Sequence, residues 1–270
     1  MNTIISKDGT RIAYDKAGHG PALILIAGAF SYRKFPGQLQ LANLLSEQFT
    51  VYNYDRRVRG DSGDTQPYAI EREIEDLQAL IDEAGGSAYV YGLSSGAVLA
   101  LQAAASGVSM KKLVLHEPPF VVDTAGYVPP ENFAKQVKEL IAADRRADTI
   151  NYFMTKGMGA PSFVVGMMRI IPGVWPRLMA VAHTLPYDAA LLDGYNEGNP
   201  LPAKQWSGVA MPTLVLEGTE SPISLRHGAQ ALVHVLPNAR LLSQKGLGHT
   251  KKLDAKRISK ELKAFFTDKS

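Results

Sequence analysis

Residues 88–101 read Ala88-Tyr89-Val90-Tyr91-Gly92-Leu93-Ser94-Ser95-Gly96-Ala97-Val98-Leu99-Ala100-Leu101. The segment opens as an apolar strand, turns at Gly92-Leu93-Ser94-Ser95-Gly96 and continues as an apolar helix. A serine centred between two glycines at a strand-to-helix turn has the pattern of a nucleophile elbow. Its hydroxyl leaves the sheet from a strained backbone, and the N-terminus of the following helix points at whatever the serine attacks. A Cβ at either glycine would crowd the adjoining strand and helix. Glycine and serine are common in turns, so the weight of the pattern comes from its flanks.

The same strand-then-helix rhythm extends outward. Upstream, Thr3 to Ser6 and Thr10 to Asp15 flank Asp8-Gly9, a hairpin dipeptide. Pro21 to Ala27 is almost wholly apolar, as a strand buried on both faces must be. Gln38 to Gln48 reads as a helix, Thr50 to Tyr54 as a strand, and Ile70, Ile74, Leu77 and Ile81 mark an amphipathic helix over 69–83. Downstream come strands at Lys112 to Leu115, Pro212 to Leu216 and Ala239 to Leu242. Helices follow at Leu225 to Leu236 and around Ile258, Leu262 and Phe265. Strands separated by helices imply an α/β fold, with a mostly parallel, doubly wound sheet covered on both faces. Between residues 120 and 208 the rhythm changes to helical spacing alone, at Phe133, Val137, Leu140 and Ile141. A Met-rich stretch over 152–182 follows, broken by Pro161, Pro172 and Pro176. The expected organisation is a core of residues 1–119 and 209–270 with an inserted helical cap at 120–208. A Met-rich face serves core packing more often than a ligand, and a cap needs one apolar face for each purpose.

The chain has 270 residues, 46% hydrophobic and 20% charged, enough for a sizeable core. Its formal charge of +3 is spread over small clusters, Arg56-Arg57-Val58-Arg59, Arg145-Arg146 and Lys251-Lys252, with no long basic stripe, so no nucleic-acid partner is expected. The absence of cysteine excludes disulfides, thiol nucleophiles and thiolate metal sites. The first residues lack the pattern of a signal peptide, and no segment approaches the roughly 18 apolar residues of a spanning helix. The expectation is a cytoplasmic protein without membrane association, acting on a small molecule with neither metal nor cofactor.

A serine hydroxyl needs an adjacent base. His249 suits best, in the glycine-flexed loop Gln244-Lys245-Gly246-Leu247-Gly248-His249 after the last strand. His19, His183, His227 and His234 suit surface or helix packing better, and His116 falls before the acid in chain order. Two carboxylates could orient the imidazole. Glu117 ends the strand after the elbow helix and is followed by two prolines that stiffen its exit; anchoring that loop is an equal reading of it. Glu220, in Gly218-Thr219-Glu220-Ser221-Pro222, reads first as a solvated loop carboxylate. The N–H groups of Ala29, in Ala27-Gly28-Ala29-Phe30, and of Ser95 could form an oxyanion hole, although a plain glycine turn explains the first segment equally well. The charges of Asp55-Arg56-Arg57-Val58-Arg59-Gly60-Asp61-Ser62-Gly63 are expected to pair internally and brace the loop.

With the elbow, the order serine, acid, histidine, and the loop from Tyr54 to Ser62 in place, the chain resembles the α/β-hydrolase superfamily, specifically its small cofactor-free serine hydrolases with a helical cap. The resemblance covers nearly the whole chain. Three positions depart from it. Ala27-Gly28 stands where the family often has His-Gly, Val58 replaces a frequent glycine, and Ser221 stands where the usual acid follows the later strand. Some members carry the acid one strand earlier, and by that analogy Glu117 takes the role. A serine at position 94 disfavours a dehalogenase, whose nucleophile is an aspartate. The resemblance implies cleavage of a small or medium, largely apolar carboxylic ester or lactone through an acyl-enzyme. The same residues allow a lyase, a perhydrolase, a cofactor-free oxygenase, or a ligand receptor with little turnover.

Overall fold

In the strand Ala22–Ile26 (β3), Leu23 and Leu25 pack on one side and Ile24 and Ile26 on the other, and all four are fully buried. Side chains alternate along a strand, so a strand apolar at every position requires cover on both faces. The computed structural model describes residues 1–249 and 253–268, and the pair Lys251-Lys252 lies outside them.

The other strands are Asn2–Ile5 (β1), Arg11–Ala17 (β2), Thr50–Tyr54 (β4), Ala88–Leu93 (β5), Met110–His116 (β6), Thr213–Gly218 (β7) and Ala239–Gln244 (β8). They form one eight-stranded sheet in the order β1-β2-β4-β3-β5-β6-β7-β8. β1 and β2 are antiparallel to each other, and β2 is antiparallel to β4. From β4 to β8 every pairing is parallel.

Helices Pro36–Leu45 (α1) and Ala255–Thr267 (α10) cover one face, through Leu41, Leu45, Ile258 and Leu262. Helices Ile70–Glu83 (α2), Ser95–Ala105 (α3) and Ile223–Val235 (α9) cover the other, through Leu77, Leu80, Leu99, Ala229 and Leu232. α3 buries nine of its eleven residues, as a helix apolar on nearly every side must.

Between β6 and β7 the described chain is helical: Phe133–Ala142 (α4), Arg146–Tyr152 (α5) running into a π-helical turn Phe153–Gly157, Ser162–Met168 (α6), Val174–Val181 (α7) and Leu185–Leu191 (α8). These helices have their own apolar cluster, with Phe133, Val137, Ile150, Phe153 and Leu185 at its centre. Pro161 precedes α6, as the sequence suggests, but Pro176 does not break a helix. It is the third residue of α7, where its missing N–H would have had no intrahelical partner. Among the described residues no helix is long and apolar enough to cross a membrane.

Candidate active site

The parallel strands end on a common edge, and the residues singled out from the sequence gather there. Ser94 joins β5 to α3 with φ 55° and ψ −125°, a conformation that costs a non-glycine residue energy and holds only when the surroundings fix it. The fixing is visible. The Ser94 N–H donates to the His116 carbonyl at 2.9 Å. A Cβ on Gly92 would lie 2.5 Å from the Gly96 carbonyl oxygen, and one on Gly96 would lie 2.5 Å from that of Ile26. Both elbow glycines are therefore dictated by close backbone approach.

Ser94 Oγ is 3.2 Å from His249 Nε2, and His249 Nδ1 is 3.0 Å from Glu117 Oε2. Of the two candidate acids, the structure brings Glu117 to the imidazole, whereas Glu220 is exposed on its loop. Glu117 begins where β6 ends, with its N–H donating to Leu216 of β7 at 2.9 Å and its φ at 49°. Its other oxygen, Oε1, accepts from the Gly218 N–H at 2.8 Å and from the Ser221 hydroxyl. Burial alone would raise this carboxyl. Hydrogen bonds from His249 and Ser221, and the charges of the neighbouring imidazoles, outweigh burial and hold it down to about 2.

Ser221 has a role that the sequence reading did not give it. Its hydroxyl donates to Glu117 while accepting the His249 backbone N–H at 3.0 Å, tying the acid to the histidine loop. The signal was present, since this is the position where the family's usual acid stands. Of the remaining histidines, His116 holds Tyr91 Oη at 2.7 Å through Nδ1, and burial pushes it down to about 4. His183 meets the Val58 carbonyl at 3.1 Å, His227 meets Asp123 at 2.6 Å, and His234 meets the Gln230 carbonyl on its own helix at 2.7 Å; His19 is exposed.

Ala29 and Ser95 both line a cavity of about 260 Å³ that opens over Ser94 and His249. Ser95 is the first residue of α3, where an N–H has no intrahelical acceptor. Apolar side chains dominate the wall, among them Phe30, Leu93, Val121, Phe133, Phe153 and Leu225. The helical segment between β6 and β7 supplies Phe133, Phe153 and Met158.

The charges of residues 55–63 do not pair chiefly among themselves, which corrects the sequence expectation. Arg56 makes a two-pronged bond to Glu73 at 2.7 Å and reaches Asp188 at 2.8 Å. Arg57 bonds Asp76 and Asp8, and Asp55 bonds Arg33. Arg59 grips both oxygens of Asp188 at 2.7 Å and donates to the carbonyls of Gly28 at 2.6 Å and Ser31 at 3.1 Å. Asp188, on α8, also accepts from the Ser95 hydroxyl at 2.7 Å. These arginines are long side chains sealed from water, so their pairing partners had to come from elsewhere in the fold. The guanidinium of Arg59 braces the Gly28 turn, where the family's histidine is missing.

A mostly parallel sheet, an elbow serine and a histidine on the loop after the last strand define the α/β-hydrolase class. The sequence pattern of the Alpha/beta hydrolase family matches residues 11–253, and the chain belongs to that family. It is 47% identical to an alpha/beta hydrolase of solved structure from Sphaerobacter thermophilus DSM 20745, over 98% of this chain and 100% of that one, with a TM-score of 0.89. An enol-lactonase from Burkholderia xenovorans LB400 shares the fold at 20% identity, with a TM-score of 0.69 over 99% of this chain and 100% of that one. The uncharacterized hydrolase YraK of Bacillus subtilis (strain 168) is 33% identical over 105 residues, 37% of this chain, and the match spans 38% of YraK's length.

Proposed function

We propose that the protein is a serine hydrolase that cleaves a small or medium, largely apolar carboxylic ester or lactone through an acyl-enzyme. The observation that carries this reading is the continuous chain from Ser94 Oγ through His249 to Glu117, opening into an apolar cavity. Ser94 attacks the carbonyl carbon while His249 Nε2 takes its proton. The N–H groups of Ala29 and Ser95 hold the resulting oxyanion, a donor of this kind lowering the barrier by roughly 2.7–4 kcal/mol. His249 returns the proton to the leaving alkoxide, and the acyl group stays on Ser94. Water, deprotonated by His249, then releases the carboxylic acid and restores the serine. Glu117 keeps Nδ1 protonated and offsets the positive charge of the imidazolium at each transfer. Residues 120–208 act as the cap that closes the acyl pocket and excludes bulk water.

A receptor without turnover was the natural alternative while Ser221 left the usual acid position without a carboxylate. Glu117, bonded to Ser221 and 3.0 Å from His249 Nδ1, supports the hydrolase reading over that one. Names among the structural relatives fit the reading, since one is an enol-lactonase and another is the esterase RhEst1 from Rhodococcus sp. ECU1013. The test is product analysis with p-nitrophenyl butyrate. The account expects one butyrate and one nitrophenolate per turnover, and loss of both with Ser94→Ala. Turnover that survives Ser94→Ala would overturn it.

A further inference from the structure

The inference deepens the proposed reading, and its starting point is the polar part of the cavity wall. Apart from Ser94, Ser95 and His249, the hydrogen-bonding side chains there are Ser31, Tyr127, Asn196 and Ser224, and the Tyr127 hydroxyl is already committed to the Lys156 carbonyl at 3.0 Å. Asn196 is 8% exposed and Ser224 7%. Neither side chain hydrogen-bonds to any described residue. A carboxamide has two donors and two acceptor sites to satisfy, and a substrate that displaces cavity water from these atoms must bond them or leave them unpaired.

The backbone around both residues is fixed, so the side chains have little freedom to turn back on the protein. Val121 N–H donates to the Tyr195 carbonyl at 2.9 Å and Gly198 N–H donates to the Val121 carbonyl at 2.9 Å, so Asn196 sits in the bend between these bonds. Ser224 is the second residue of α9 and packs against Gly126, where a Cβ would stand 3.2 Å from its own. Both therefore flank the strap of residues 121–126 and face the same cavity.

We infer that the substrate carries, besides the bond that is cleaved, one uncharged hydrogen-bonding group, a carbonyl, ether or hydroxyl, bound by Asn196 and Ser224. The group is uncharged because no Lys, Arg, Asp or Glu among the described residues lines the cavity. A carboxylate or ammonium there would lose its water without gaining a counter-charge. A purely hydrocarbon acyl chain would bury the Asn196 amide with nothing to bond, and a site built around buried polar groups discriminates against an analogue that lacks the matching group.

The test uses the full chain carrying Ser94→Ala, which holds an ester without cleaving it. Methyl hexanoate is compared by calorimetry with the 3-, 4- and 5-oxo analogues. The expected result is one oxo position that binds about tenfold more tightly than the hydrocarbon ester. That preference should vanish with Asn196→Leu and weaken with Ser224→Ala. If Asn196→Leu fails to fold, Asn196→Asp, nearly isosteric but unable to donate when ionised, should also lose it. All oxo positions within twofold of methyl hexanoate, a preference that survives both Asn196 variants, or no binding by any of the four would overturn the inference. Hydrolysis of the same esters by the wild type is read separately. Turnover without an oxo preference removes only the polar subsite, and an oxo preference without turnover removes only the hydrolase reading.

Discussion

Ser221 stands where the family's usual acid would, and its hydroxyl bonds the Glu117 carboxylate. The carboxylate comes from the end of β6 and not from the loop after β7, and the same hydroxyl links it to the histidine loop. Replacing Glu117 with Gln keeps the shape but removes the charge that orients and balances the imidazole. We expect kcat on p-nitrophenyl butyrate to fall by about 10³–10⁴, whereas Glu220→Gln stays within about twofold; the reverse ranking would overturn the assignment. Ser221→Ala removes one hydrogen bond to an ionised group, a contribution of roughly 1.5–3 kcal/mol. It should lower both kcat and the denaturant midpoint, while KM changes little. Ser94 and His249 stand out in the sequence through the elbow glycines and the order along the chain, whereas Glu117 is one of two candidate acids there, with loop anchoring an equal reading, and is preferred only by analogy with the family. Asn196 and Ser224 do not stand out, since a lone amide or hydroxyl in a loop or helix carries no pattern until the cavity that it lines is formed.

Among the elements, α8 joins the helical segment to the elbow. Asp188 bonds Arg56, Arg59 and Ser95, while Tyr187 stacks on Tyr68 with ring centroids 3.8 Å apart and donates to Asp64 at 2.8 Å. The carboxylate is held in its charged form, burial being outweighed by the two guanidinium groups. Asp188→Asn would leave Arg59 buried without its counter-charge, and breaking a buried pair in this way costs about 3–5 kcal/mol. Urea unfolding should show a loss of that size, with Asp64→Asn costing far less. Equal small losses would mean that the two guanidiniums are satisfied without Asp188. The sequence revealed the strands and the long helices almost to their ends, because burial on both faces leaves an unbroken apolar run. It could not pair Arg56 or Arg59 with Asp188, since those partners lie about 130 residues apart and meet only when the helical segment docks.

For the whole molecule, buried ionisable groups shape the response to acid: the stability that His116 and Glu117 contribute is lost as the pH falls, while Asp76, raised to about 6 by burial, opposes them. His116 titrates near 4 in the folded protein against about 6.5 for the free side chain, so between those values the unfolded chain binds the extra proton. Stability from this group is full above pH 6.5 and falls as the pH drops toward 4, by up to about 3 kcal/mol. Glu117 acts lower. Its carboxyl is held down to about 2 from about 4.5, and its contribution is lost as the pH falls through that window. Because Asp76 takes up its proton in the folded protein over the same range, the His116 contribution is read as a difference: between pH 7.5 and 4.5 the wild type should lose more unfolding free energy than His116→Asn does. A profile unchanged by the substitution would show that His116 is not the group responsible. The layered plan was legible at this scale, since alternation of strand and helix fixes a parallel sheet covered on both faces. How the helices between β6 and β7 pack was not, because apolar residues with Met and Pro specify burial without specifying neighbours.

Whether His249 makes Ser94 nucleophilic is read by mass spectrometry after fluorophosphonate treatment. One adduct is expected on the peptide carrying Ser94 in the wild type, and none after His249→Ala. An adduct elsewhere, or full labelling of Ser94 without the imidazole, would contradict this expectation.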